Sequence, residues 1–424
     1  MFAGVTTDLT APGELSRLFA GVARETAIGL AVSGGADSLA LMLLAQRWAA
    51  AQPRPPRLHV YSVDHGLRPE AAGEVKTVLA AAAALGLPAT PLHWTGTKPR
   101  TSIQEAARTA RYRLFAAAMR QDRVPVLLTA HHRSDQAETI LMRMAHGSGV
   151  EGLKGMSAFA KVEGVHVHRP LLGIDPAALL AVVKDAGLVP VLDPSNEDEH
   201  YERVRWRKAL PGLSALGLDP AALAGFAQRM ATADEAILHM ANAAFVDQVR
   251  LDGFGAGHVQ LDALRALPTA VAVRVLGRVL NIVGGRQKPR ALGQVERLHH
   301  TVMTETDFKA TTLLGCVVRP KDGTLMVARE PGRSTPADIV LSPNAELVWD
   351  ERFLIRNGSS ETGLTAGVAD YLPRHRLEEF LGFKITAPAE AIRTAPIVRD
   401  SSGGVLSLGG WSFDDRIKVQ LLVD

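Results

Sequence analysis

Between residues 20 and 210 the chain alternates short apolar runs with longer segments of helical periodicity. The runs Ile28–Val32, Leu58–Val63, Ala89–Trp94, Val126–Ala130 and Val165–Leu172 predict strands, because short continuous apolar stretches bounded by turn residues fit strands covered on both faces. The segments Asp37–Trp48, Pro69–Leu85, Ile103–Arg120, Ser134–Ala145 and Asp175–Ala186 predict helices. Such alternation predicts an α/β fold with a doubly wound parallel sheet, since parallel neighbours need a long crossover that a helix fills. From Leu213 to about Met303 the periodicity is helical, in Ala221–Val249, Leu261–Val283 and Ala291–Met303. From Phe308 onward short β-like runs take over. Leu313–Arg319 and Thr324–Arg329 flank Pro320-Lys321-Asp322-Gly323, whose Asp-Gly suits a tight hairpin. The end, Gly403–Val423, is also β-like. The pattern therefore predicts three domains: an α/β domain over 1–212, a helical domain over 213–305 and a small α+β domain over 306–424. A chain of 424 residues needs more than one hydrophobic core.

The first strand runs into Ser33-Gly34-Gly35-Ala36-Asp37-Ser38 and then directly into a helix. A turn of this kind gathers backbone N–H groups and a helix N-terminus around one small volume, which suits phosphate or pyrophosphate. Gly34 and Gly35 allow close approach, and Ser33 and Ser38 offer hydroxyls. Asp37 would repel bare phosphate, so its presence implies a bridging Mg²⁺. The turn is not a Walker A loop, because Gly-Lys-[Ser/Thr] is absent from the chain. Gly147, Gly149 and Gly152 match G-x-G-x-x-G but follow a helix instead of a strand, so Gly147 reads as a left-handed helix end.

Three more stretches carry candidate chemistry. Val63-Asp64-His65-Gly66-Leu67-Arg68 closes the second strand, where open α/β sheets place ligands. Arg108 and Arg111 stand three apart on a helix and share a face that suits phosphate or plain solvent. His131-His132-Arg133-Ser134-Asp135-Gln136-Ala137-Glu138-Thr139 follows the fourth strand. Ser134 or Asp135 can cap its helix, and Asp135 and Glu138 share a face. Two carboxylates there could hold Mg²⁺ or the ammonium of an amine substrate, and paired histidines beside them also fit a zinc or di-metal hydrolase.

Composition narrows the class. Hydrophobic residues make up 47% of the chain, which supports packed cores. Lys+Arg 47 against Asp+Glu 44 leaves a formal charge of only +3, so a nucleic-acid partner must be argued from local clusters. The clearest is Arg203, Arg205, Arg207 and Lys208 with Trp206 interleaved, suited to RNA phosphate and base stacking. Single Cys316 excludes an intramolecular disulfide and fits a reducing compartment. No apolar run reaches the ~18–20 residues of a membrane span, and Met1 to Leu18 lacks a signal-peptide pattern, so a cytoplasmic location is expected.

The Ser33–Ser38 turn resembles the pyrophosphate loop of the N-type ATP pyrophosphatases. Together with Val63–Arg68, Ala107-Arg108-x-x-Arg111-Tyr112, His131–Thr139, Gly147–Met156, Arg169-Pro170-Leu171-Leu172 and Asp193-Pro194-Ser195-Asn196, it resembles the tRNA(Ile)-lysidine synthetase family over about the first half of the chain. Two positions depart from that pattern: Ser134 stands where the family usually has Asp, and Val204 where it has Asn. The resemblance implies an adenine-nucleotide α-hydrolase-like sheet and ATP-dependent adenylation of C2 of the wobble cytidine in a minor isoleucine tRNA. Free L-lysine then displaces AMP and forms lysidine. It implies ATP and Mg²⁺ as cofactors, and a homodimer is compatible with it. The implied site has Ser33, Gly34, Gly35, Ala36, Ser38, Asp64, His65 and Arg111 on the nucleotide and Asp37 on the metal. Asp135 and Glu138 take lysine or metal, and His131 or His132 serves phosphate contact or proton transfer. A tRNA-thiolating enzyme of the same superfamily normally needs several cysteines, which one Cys argues against. A non-catalytic RNA-binding module is the remaining alternative.

Overall fold

The computed structural model describes residues 8–423, apart from 68–69, 97, 100, 102, 192–197, 286–291, 306 and 333–336. Arg68 and the stretch Asp193–Asn196 therefore lie outside the described residues. The chain divides into two compact units, Met1–Thr232 and Ala233–Asp424.

The first unit is built on the expected parallel sheet. Strands β1 (Ala27–Ala31), β2 (Arg57–Asp64), β3 (Ala89–His93), β4 (Val126–Leu128), β5 (Phe159–Val162) and β6 (Val165–His168) take the order β3-β2-β1-β4-β6-β5. All neighbours are parallel except β5 and β6, which form a hairpin at the edge. Its turn, Glu163 (φ 48°) and Gly164 (φ 81°), has the two left-handed residues that a two-residue hairpin requires. The sequence reading passes over β5, because Phe159–Val162 is too short to show a period. It also runs the last strand to Leu172, whereas β6 ends at His168 before Arg169-Pro170.

Helices α1 (Pro12–Phe19), α2 (Ala36–Ala50), α3 (Ala71–Ala84) and α7 (Pro176–Asp185) pack on one face of the sheet and α4 (Ile103–Asp122) on the other, while α5 (Arg133–Ala145) packs with α8 (Glu202–Ala215) and the start of α9 (Pro220–Gln248), and the short α6 (Val150–Leu153) follows α5. The alternating residues Ile28, Leu30 and Val32 pack with Leu39–Trp48 of α2 and Leu179–Val183 of α7. The opposite face packs Tyr61, Leu127 and Val167 against Tyr112, Phe115 and Met119 of α4. Full burial of side chains such as Ile28, Leu30 and Leu41 contributes about 1.5–3 kcal/mol each. Gly29 is needed because a Cβ there would meet the Tyr61 ring at 2.9 Å.

The second unit combines α10 (Leu261–Arg265), α11 (Thr269–Gly284) and α12 (Leu292–Thr304) with three antiparallel sheets. In one, β7 (Val249–Leu251), β8 (Gly257–Gln260), β9 (Thr311–Leu313), β10 (Cys316–Lys321) and β11 (Thr324–Arg329) take the order β7-β8-β11-β10-β9. The Asp322-Gly323 hairpin forms as expected, with φ of 48° and 73°. A second turn at Leu314-Gly315 splits the predicted run Leu313–Arg319 into β9 and β10. The two remaining sheets lie within Ile339–Leu421, whose last three strands fall in the β-like terminal stretch. Among the described residues, no single helix is long and apolar enough to cross a membrane.

Candidate active site at the switch point of the parallel sheet

In the order β3-β2-β1-β4-β6 the chain reverses its winding between β1 and β4. The loops leaving the carboxyl ends of these strands diverge and open a crevice, the usual ligand position in such sheets. β1 delivers Ser33–Ser38 there, and β4 delivers His131–Asp135.

The Ser33–Ser38 loop is held by its own hydroxyls. Ser38 Oγ donates to the Gly35 carbonyl at 3.0 Å and accepts the Ser33 N–H at 3.1 Å, while the two hydroxyl oxygens stand 3.3 Å apart. Gly34 has φ of +92°, and a Cβ there would also meet Val191 at 3.1 Å. Gly35 is the N-cap of α2, so Ala36, Asp37 and Ser38 present the first-turn N–H groups, which have no partner within the helix. Asp37 in that turn keeps 39% of its side chain exposed.

His132 ties the two loops together. Its Nε2 lies 3.5 Å from both Asp37 Oδ2 and Asp135 Oδ2. Burial works against its charged form, but the bond to Asp37 and the nearby carboxylates outweigh it, so its pKa is raised. Residue 132, not Ser134 or Asp135, is the N-cap of α5. Asp135 accepts the His132 backbone N–H at 3.0 Å from inside the first turn. Ser134 sits in that turn, partly buried. His131 behaves oppositely: burial pushes it down to about 4 against the pull of Asp135, and Arg169, Arg203 and Arg108 depress it further. Its Nδ1 is 3.0 Å from Thr129 Oγ1.

Asp135 and Glu138 share a side of α5 as expected, yet their surroundings differ. Glu138 is fully buried, and its two oxygens accept Arg203 Nε and Arg207 Nε at 2.7 Å each, with Arg207 Nη2 at 3.3 Å. Arg203 Nη2 also donates to the Asp135 carbonyl at 3.2 Å. Two of the four cations read as an RNA patch thus meet a carboxylate of the crevice. The sequence reading does not see this, because α8 puts positions 203 and 207 on one helical face while 205 and 208 turn away. Arg205 donates to the Glu199 and His200 carbonyls, and Lys208 pairs with Glu199 at 2.6 Å; both cations are exposed. Trp206 donates to Glu202 at 3.2 Å, and Val204 is buried.

At the end of β2, Asp64 accepts the Gly66 N–H at 2.7 Å and approaches His93 at 3.6 Å. Burial, with the Arg111 charge, pushes neighbouring His65 down to about 4. Arg111 is exposed on α4, and Arg108 lies 5.3 Å from the Tyr112 ring centre. The glycine-rich Gly147–Met156 stretch is ordered from α5. Gln136 donates to the Met156 carbonyl at 3.0 Å and accepts its N–H at 2.7 Å, and Arg143 donates to the carbonyls of Gly152 and Gly155 at 2.7 Å. Gly147 ends α5 with φ of +66°, the left-handed role expected of it. Gln136 and Arg143 are supporting residues that sequence reasoning missed; their only signal is that they stand seven apart, two turns, on one face of α5.

The pattern of the PP-loop domain family matches residues 9–213. The chain is 44% identical over 296 residues to the tRNA(Ile)-lysidine synthase of Rhodopseudomonas palustris, covering 70% of this chain and 85% of that protein. It is 38% identical over 346 residues to the tRNA(Ile)-lysidine synthase of Bradyrhizobium diazoefficiens, covering 77% of this chain and 96% of the relative. Among solved structures, the U34-tRNA thiolase of Methanococcus maripaludis aligns with 51% of this chain and 77% of its own, at 16% identity and a TM-score of 0.44.

Proposed function

The chain belongs to the tRNA(Ile)-lysidine synthase family, ATP-dependent ligases that modify tRNA, and from that premise we propose the substrates and residue roles of its reaction. The substrates are ATP, free L-lysine and a minor isoleucine tRNA with a CAU anticodon. The carbonyl oxygen at C2 of the wobble cytidine attacks the α-phosphate of ATP, and pyrophosphate leaves. The lysine ε-amine then attacks C2, AMP leaves, and lysidine remains. The observation that carries this reading is the pre-folded Ser33–Ser38 loop at the sheet's switch point, bridged by His132 to Asp135.

Ser33, Gly34, Gly35, Ala36 and Ser38 hold the pyrophosphate through hydroxyls and first-turn N–H groups, which are oriented before the reaction begins. Asp64, His65 and Arg111, at the end of β2 and on α4, serve the rest of the nucleotide. Asp37 fits Mg²⁺: its carboxylate is part-exposed beside the phosphate loop. Among the described residues no trio of His, Cys, Asp or Glu gathers that could hold a metal alone. That suits an ion taking one or two carboxylates, substrate phosphate and water. When bound, Mg²⁺ would offset charge on the leaving pyrophosphate. Asp135 receives the lysine ammonium, while Glu138, already matched by Arg203 and Arg207, sets the position of those arginines. The ammonium must lose a proton before its nitrogen can attack. His132 lies beside Asp135 and is the ring placed for that proton transfer; the bond to Asp37 and the nearby carboxylates raise its pKa, so only its deprotonated fraction can accept. His131 stays neutral there and contacts phosphate. Arg205 and Lys208, exposed on α8, meet the tRNA backbone. The cytoplasm is the proposed compartment.

The test is incorporation of labelled lysine into isoleucine tRNA, with and without ATP. Incorporation that requires both ATP and this tRNA is expected. Release of AMP and pyrophosphate without any lysine transfer would overturn the substrate assignment.

A further inference from the structure

We propose that Arg169 is a phosphate-binding residue of the crevice, taking either the α-phosphate of the nucleotide or an RNA backbone phosphate beside the reacting cytidine. This rests on the ligase reading above and adds an anion subsite to it. Arg169 follows β6, and the His168 carbonyl accepts the Thr129 N–H at 3.0 Å. Thr129 Oγ1 lies 3.0 Å from His131 Nδ1. Arg169 thus stands one strand beyond the His131–Asp135 loop on the same sheet edge.

Its surroundings are unusual for a cation. Only 5% of the residue is exposed. Nη1 donates to the Ser157 carbonyl at 2.7 Å, whereas Nε is buried without a partner. Among the described residues no carboxylate pairs with it, and the Arg108 charge that bears on it is also positive. Glu138 of α5, itself fully buried, is matched by two other arginines. A buried guanidinium without a counter-ion is costly in the free protein and becomes favourable when an anion arrives. Its planar fork matches two phosphoryl oxygens. Arg108 over Tyr112 and neutral His131 border the same volume without supplying negative charge.

The experiment uses the full chain with Arg169→Met and Arg169→Lys. Thermal unfolding without ligand is measured first, then equilibrium binding of AMP and of unmodified isoleucine tRNA at several salt concentrations. Arg169→Met is expected to melt no lower than the native chain, since it removes an uncompensated charge. It should bind one ligand roughly tenfold or more weakly, with Arg169→Lys between. Weaker AMP binding assigns the α-phosphate; weaker tRNA binding with a salt slope lower by about 0.7–0.9 assigns the RNA backbone. Unchanged affinity for both ligands, with or without a drop in melting temperature, overturns the proposal and leaves Arg169 a structural residue. No turnover is needed. Failure of the native chain to make lysidine would sink the ligase reading while leaving anion binding measurable.

Discussion

Replacing Glu138 by Gln should cost the ligand-free protein stability, and that cost separates two roles for this carboxylate. Its oxygens accept three guanidinium N–H groups, two at 2.7 Å and one at 3.3 Å, with the side chain only 1% exposed. Hydrogen bonds to charged groups contribute about 1.5–3 kcal/mol each. Gln can keep one as an acceptor but not the charge. The arginines are 39% and 44% exposed, so water screens part of what is lost and the sum must be discounted. The net expectation is about 2–4 kcal/mol, or roughly 4–16 °C in melting temperature for a unit of this size. Thermal unfolding of Glu138→Gln, Arg203→Gln, Arg207→Gln and the double variants gives the coupling directly. Each arginine should couple to Glu138, and Arg207, which makes two of the three bonds, should couple more strongly. A carboxylate poised for lysine or metal would behave otherwise: without ligand, its removal would leave stability unchanged or improved. An unchanged melting temperature with no coupling would refute the structural role.

Asp37→Ala should abolish ATP–pyrophosphate exchange in the presence of tRNA while leaving the melting temperature near that of the native chain, because the carboxylate is part-exposed and its ion pair among the described residues is a 3.5 Å contact to His132; near-normal exchange would contradict its assignment. His131 and His65, held near 4 against an unfolded value of about 6.5, bind fewer protons folded than unfolded across that window, so each subtracts stability as pH falls from about 6.5 to 4. Urea midpoints at pH 7 and pH 5 should therefore lie closer together in His131→Asn than in the native chain. A fragment ending at Thr232 should fold more stably than one ending at Gly212, since Leu223 and Ala227 pack with Ala137, Ile140, Leu141 and Leu210; equal denaturant midpoints would count against that contribution.

The parallel sheet and the Ser33–Ser38 loop were legible in the chain itself. Strands covered on both faces must be continuously apolar, and a glycine pair before Asp and Ser at a strand end leaves few other uses. The Asp322-Gly323 hairpin was legible for the same local reason, a demand for left-handed residues that these side chains meet. What the sequence did not determine depends on partners distant along the chain. The strand β8, in a stretch whose surroundings read as helical, becomes a strand by pairing with β11, about 65 residues away. The charges show the division most clearly. Arg203, Arg205, Arg207 and Lys208 read as one basic patch, but only folding brings α8 against α5, giving Arg203 and Arg207 to the buried Glu138 while Arg205 and Lys208 meet only exposed groups around Glu199 among the described residues. Sequence specifies which residues carry charge; burial and counter-ions, set by tertiary packing, decide which charges are already matched and which, like Arg169, remain open to a ligand.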